Sequence, residues 1–105
     1  MKIYIAGPYT KGDVAMNVRN AIAAGNYVAN LGHVPFIPHL SHFWHFLFPN
    51  DYEFWMKQDE AWLRECDAIL RLTGESAGAD REMEIAKELG LIVYRSVFEV
   101  PKIAP

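Results

Sequence analysis

Four short apolar runs, at residues 2–6 (KIYIA), 33–38 (HVPFIP), 68–72 (AILRL) and 91–94 (LIVY), are spaced by longer stretches of helical periodicity. Runs of four to six residues bounded by turn signals read as buried strands. Gly7-Pro8 ends the first, and Gly32 and Gly90 each stop a helical stretch just before the next run. Between the first two runs, Asp13 offers an N-cap for a helix to about Leu31, with Val14, Val18, Ala21, Ile22, Gly25 and Val28 along one side. Strand, helix, strand within about forty residues is a βαβ unit, which forces a parallel pair and a right-handed crossover. The whole pattern predicts an α/β chain: an open parallel sheet of four or five strands, doubly wound in the flavodoxin/Rossmann-like manner. Prolines at both ends of 33–38 make that strand short and suited to an edge. Ligands of such sheets sit at the carboxyl ends of the strands, where Gly7-Pro8-Tyr9 and Ser76-Ala77-Gly78 fall.

A length of 105 residues holds one domain, expected to span 1–105. Half of the residues are apolar and 13% aromatic, enough for one sheet with its helices. A formal charge of −3 without any cluster of Lys or Arg argues against a nucleic-acid partner. The single cysteine, Cys66, excludes an internal disulfide, fits a reducing compartment, and reads as core filler on the apolar side of its helix. Met1 leads straight into a strand, without the pattern of a signal peptide, and no apolar run reaches membrane-spanning length. The expectation is a soluble, cytoplasmic protein with no membrane partner. The tail from residue 96 to 105 reads as an extension over the surface or over a neighbouring subunit.

Two carboxylates break the helical pattern. On a helix from about Ala79, Glu82 shares a face with Ile85, Ala86 and Leu89, while Arg81, Glu84, Lys87 and Glu88 fall on the opposite arc. On a helix from about Asp51 to Glu65, Asp59 lies at the centre of a face formed by Tyr52, Trp55, Met56, Trp62, Leu63 and Cys66. A carboxylate turned to a core is costly without partners, so both are candidate site residues. A first-turn position for Glu82 would favour its ionised form through the helix dipole. A capping role with Ser76, Thr73 or Asp80 is the competing reading. Between the two helical stretches, residues 39–50 (HLSHFWHFLFPN) read as a loop or short helix covering something apolar, either as a lid over a flat ring or as a subunit contact.

Neither GxGxxG, GxxxxGK[ST] nor GxSxG occurs, which removes support for a dinucleotide fold, a P-loop or a serine hydrolase. A pair of carboxylates in an aromatic pocket remains, and that is the equipment of glycosidic-bond cleavage. Residues 3–9 (IYIAGPY), 58–70 (QDEAWLRECDAIL) and 76–86 (SAGADREMEIA) together resemble the nucleoside 2-deoxyribosyltransferase superfamily, in its small uncharacterised-domain branch. They are also similar to the 2'-deoxynucleoside 5'-monophosphate N-hydrolases. The family's spacing of glycine, glutamate and alanine maps onto Gly78, Glu82 and Ala86.

The resemblance implies that Glu82 is a nucleophile forming a covalent glycosyl intermediate, that Tyr4 hydrogen-bonds it, and that Asp59 contacts the sugar or donates a proton. It implies transfer of the sugar to another nucleobase or to water, with no cofactor and no metal. Gly7, Pro8, Tyr9, Ser76, Gly78, Phe43 and Trp55 are then the expected substrate-binding residues, the aromatic ones against the base. The partners implied are a small nucleoside or nucleotide and a second copy of the chain, as a homodimer or higher homo-oligomer. Ser76 stands where the transferases carry an aspartate and the monophosphate hydrolases a serine, which tilts the substrate towards a 5'-monophosphate. His39, His42 and His45 recur every three residues without a cysteine or acid in a recognised ligand spacing, and read as lid packing or base contacts before metal ligands. Asn17 is read as a partner of the Asp13 cap or as a pocket residue. A non-catalytic nucleotide-binding or sensing module on the same fold is the alternative.

Overall fold

The computed structural model describes residues 1–103. Strand β1 (Lys2–Ala6) alternates its side chains between two cores, which sets up everything above and below the sheet. Ile3 and Ile5 face helix α1 (Val14–Asn30) and meet Ala21, Ala24 and Val28. Tyr4 and Ala6 point to the other side, where Ala79, Met83 and Ala86 of helix α4 (Ala77–Glu88) cover them. Strand β3 (Ala68–Arg71) follows the same rule, with Leu70 under α1 and Ile69 under α4.

Strands β2 (Val34–Phe36) and β4 (Ile92–Tyr94) complete a four-stranded sheet in the order β2-β1-β3-β4, parallel throughout. The proline-bracketed run is an edge, as expected. α1 on one face and α4 with helix α3 (Tyr52–Leu63) on the other make the sheet doubly wound. The chain leaves β1 in opposite directions to reach β2 and β3, so a crevice opens above the carboxyl ends of β1 and β3.

The aromatic segment folds as a 3-10 turn (Pro38–Ser41) and a short helix α2 (His42–Leu47). The tail returns over the α1 side. Val100 joins that core, Phe98 packs edge-on against Tyr27, the His33 ring donates to the Pro101 carbonyl, and the Ile103 amide donates to Leu31. Residues 104–105 of the predicted tail lie outside the described residues. Cys66 is buried as core filler, its thiol donating to the Trp62 carbonyl.

Two sequence expectations are corrected. α4 begins two residues earlier than Ala79, with the Ser76 hydroxyl accepting from the Ala79 amide as N-cap, so Glu82 lies in the second turn and caps nothing. The buried stripe of α4 is accordingly Ala79, Glu82, Met83 and Ala86, and Leu89 is exposed at the helix end. On α3, Met56 and Leu63 are buried with Asp59 half-buried between them, whereas Tyr52 and Trp62 are largely exposed.

Candidate active site

Glu82 is buried among apolar side chains and receives a hydrogen bond from the Tyr4 hydroxyl. Tyr4 is fully enclosed beneath it; burial, and then the neighbouring carboxylates Glu82 and Asp59, push its phenol well above the usual range, so Tyr4 keeps its proton and donates. Burial pushes the Glu82 carboxyl up to about 8; the Tyr4 bond opposes that, Asp59 adds to it, and Arg71 and Arg81 pull it down. Burial also raises Asp59 to about 7. The expectation that a helix start would keep Glu82 ionised is therefore corrected: the residue sits a turn too far along, and desolvation outweighs the dipole.

Both carboxyl groups line a cavity of about 520 Å³ above the crevice. The loop after β1 contributes Gly7, Tyr9, Thr10 and Lys11, the turn before α4 contributes Glu75 and Ser76, and the first turn of α4 contributes Gly78. α3 adds Tyr52, Trp55 and Met56 beside Asp59, and the aromatic segment adds His39, Ser41 and His45.

The two loops are held open by specific contacts. Asn17 donates its amide to the carbonyls of Tyr9 and Lys11, at 2.9 and 2.8 Å, which answers the sequence question by making it a clamp on the loop after β1. Gly74 has φ +115°, and a Cβ there would stand 2.7 Å from Pro8 Cγ, so the two loops touch only because the residue is glycine. Arg71 bonds the carbonyls of Leu72 and Gly74 and the carboxylate of Asp80. Lys11 and Glu75 form an exposed pair across the mouth at 3.7 Å.

The three histidines take separate partners. His39 donates from Nε2 to the Pro8 carbonyl at 2.8 Å, and burial lowers its pKa, so the ring is neutral. The Tyr9 hydroxyl and His42 Nδ1 share a hydrogen bond at 2.6 Å. His45 Nδ1 accepts from the Trp55 indole at 2.8 Å. No group of three His, Cys, Asp or Glu side chains close enough to hold a metal occurs among the described residues.

Of the residues expected from sequence, Glu82, Asp59, Gly7, Tyr9, Ser76, Gly78 and Trp55 come together at the cavity, with Tyr4 directly behind Glu82. Pro8 turns its ring away towards a second cavity and meets the site through its carbonyl. Phe43 is a correction: 72% exposed, it does not line the cavity, because the six-residue helix turns His45 inward, beside His39 of the preceding 3-10 turn. Sequence reasoning missed Lys11, Glu75 and Arg71 as parts of the site. Only Arg71 left a signal, as a charge ending an otherwise apolar strand.

The chain thus has an open parallel α/β sheet of Rossmann-like fold, with a carboxyl-lined cavity at the carboxyl ends of its central strands, where such folds place their ligands. The chain belongs to the family described as Domain of unknown function (DUF7768), whose model matches residues 1–96. No curated protein sequence matches it. Among solved structures it is similar to 2-deoxyribosyltransferase from the psychrotolerant bacterium Bacillus psychrosaccharolyticus, with TM-score 0.68, 22% identity, and coverage of 89% of this chain and 69% of that one. That enzyme is described as a biocatalyst for the synthesis of nucleosides, and at this identity the likeness is one of fold. No helix among the described residues is long and apolar enough to cross a membrane.

Proposed function

We propose that the protein cleaves the N-glycosidic bond of (deoxy)nucleosides or their 5'-monophosphates. The observation that carries this reading is a buried glutamate, tied to a buried tyrosine, opening on an aromatic-walled cavity that holds a second carboxyl group. Ionised Glu82 attacks C1', the bond from C1' to the base nitrogen breaks, and its electron pair leaves with the base, which takes the proton of Asp59. The resulting glycosyl ester at Glu82 is opened when a second base, or water, attacks C1'. Tyr4 fixes the rotamer of Glu82 and disperses its charge. Trp55 offers a flat wall for the base. The fold likeness to a 2-deoxyribosyltransferase fits this chemistry. No step requires a cofactor.

Productive enzyme needs Glu82 ionised and Asp59 protonated, a state in which the pair shares one proton. With the pair raised to about 8 and about 7, the rate should peak between those values. Incubation with a panel of nucleosides and 5'-monophosphates, read by chromatography for free base, tests the reading. Release by the wild type and its loss in Glu82→Ala is the expected result.

One observation favours a second reading, a binding or sensing module: a carboxyl raised to about 8 is largely neutral at pH 7 and then donates a hydrogen bond instead of attacking. Saturable ligand binding without base release at any pH from 6 to 9 would favour that module. Phe43, Phe46, Leu47 and Phe48 expose the outer side of α2, and a second copy of the chain is the proposed cover.

A further inference from the structure

Arg71 ends β3 opposite Ala6, on the sheet face that also carries Ile69 and Tyr4, since side chains two residues apart on a strand point the same way. Its side chain is only 10% exposed. A guanidinium at that depth is costly unless its donors are used. They are: one arm bonds the Leu72 carbonyl, and the other bonds the Gly74 carbonyl at 2.9 Å and Asp80 Oδ1 at 3.0 Å. Leu72 and Gly74 belong to the turn that leads to the N-cap Ser76, and Asp80 lies two residues before Glu82 on α4. One side chain thus joins the strand end, the turn and the helix that carries the candidate nucleophile.

We propose that Arg71 is a positioning residue for Glu82: it fixes the turn that presents Ser76 and Gly78 to the cavity, and it holds a permanent positive charge on the sheet face towards Glu82. The inference rests on the proposed reaction, in which Glu82 must ionise. The groups acting on Glu82 are Tyr4 from β1, Asp59 from α3, Arg71 from β3 and Arg81 from α4. Arg81 is at the surface and bonded to Glu53 at 2.9 Å, where solvent and a counter-ion weaken its field. Arg71 is enclosed, while its counter-ion Asp80 is 71% exposed, so water weakens the field of Asp80 at Glu82 without cancelling it. The inward field of Arg71 is therefore the less compensated of the two, and it favours the carboxylate.

The test follows the Glu82 side-chain carboxyl carbon by NMR against pH, together with the pH profile of kcat/KM, in the wild type, Arg71→Met, Arg71→Lys and Asp80→Asn. In Arg71→Met the Glu82 titration should move up by about one pH unit; the alkaline limb, set by the higher of the two groups, should follow it while kcat/KM on the acid side falls about tenfold, with a several-fold rise in KM from the loosened turn. Arg71→Lys keeps the charge and loses the fork, so its titration should return towards wild type while KM stays raised. Asp80→Asn, at an exposed position that folding tolerates, should move the titration down, and it decides the matter if Arg71→Met does not fold. Absence of base release from wild type sinks the proposed reaction and leaves the titration arm intact. A folded Arg71→Met with an unmoved Glu82 titration, a Lys variant shifted as far as the Met one, or an Asp80→Asn titration that stays or rises overturns the role of Arg71.

Discussion

Tyr4 and Glu82 are 78 residues apart in sequence, yet each accounts for the other's burial. A lone phenol on the α4 face of β1 would leave its hydroxyl unpaired, and a lone glutamate there would face an apolar wall. Together they satisfy one donor and one acceptor in a dry place. Tyr4→Phe removes the donor and keeps the ring that packs against Phe36. A hydrogen bond to a charged group contributes about 1.5–3 kcal/mol, which corresponds to roughly one to two pH units. Since that bond lowers the Glu82 pKa, its loss should move the alkaline limb of kcat/KM up by that amount and reduce the rate at pH 7 about tenfold or more. A pH–rate profile of the variant that overlays the wild type would contradict a role for Tyr4 in holding the carboxylate.

Among elements, the loops after β1 and β3 meet at Pro8 and Gly74 beside the cavity, and each has its own fastening. Asn17→Ala frees two carbonyls and should cost about 1–2 kcal/mol of stability, with KM rising and kcat less affected, because the loop carries cavity walls and not the reacting carboxylates. Gly74→Ala meets both an unfavourable φ and Pro8, and should cost about 1–3 kcal/mol in urea unfolding. The same loops show where sequence reading stops. Strands, α1 and α3 were legible because their apolar spacing is local, and Glu82 and Asp59 stood out as acids inside that spacing. The start of α4 was not, since Ser76-Ala77-Gly78 carries no hydrophobic period and its cap is visible only once Ser76 meets the Ala79 amide. Phe43 is hard to place from sequence because aromatic residues on so short a helix can face either way, and here tertiary contact puts His45 of the helix, with His39 of the turn before it, on the inside. The ionisation of Glu82 was beyond reach too, as it depends on how much of α3 and β1 closes over it.

At the scale of the whole molecule, the site sets the stability of the fold as a function of pH, with a sign opposite to that of most acidic groups. Glu82 rises from an ordinary value of 4.5 to about 8, and Asp59 from 3.8 to about 7, both through burial. The folded chain therefore binds more protons than the unfolded chain across that window, and stability falls as pH rises through it. Below about pH 4 both groups are protonated in either state and the penalty is absent. Above pH 8 Glu82 alone costs on the order of 3–5 kcal/mol, taking 1.36 kcal/mol per unit. Glu82→Gln keeps the shape and an acceptor for Tyr4 while removing the charge, so urea unfolding should find it equal to the wild type at pH 4 and more stable by a few kcal/mol at pH 8.5. The proposed copy-to-copy contact through α2 would add a concentration dependence, so protein concentration is held fixed in that comparison. Its own check is Phe43→Ser with Phe46→Ser, expected to lower the mass measured by light scattering to that of one chain. Should wild type and Glu82→Gln lose or gain stability in parallel from pH 4 to 8.5, the Glu82 carboxyl titrates alike in the folded and unfolded chain and its burial carries no charge penalty. Glu82 would then be ionised well below pH 7, and the rate optimum argued between about 7 and about 8 would be overturned.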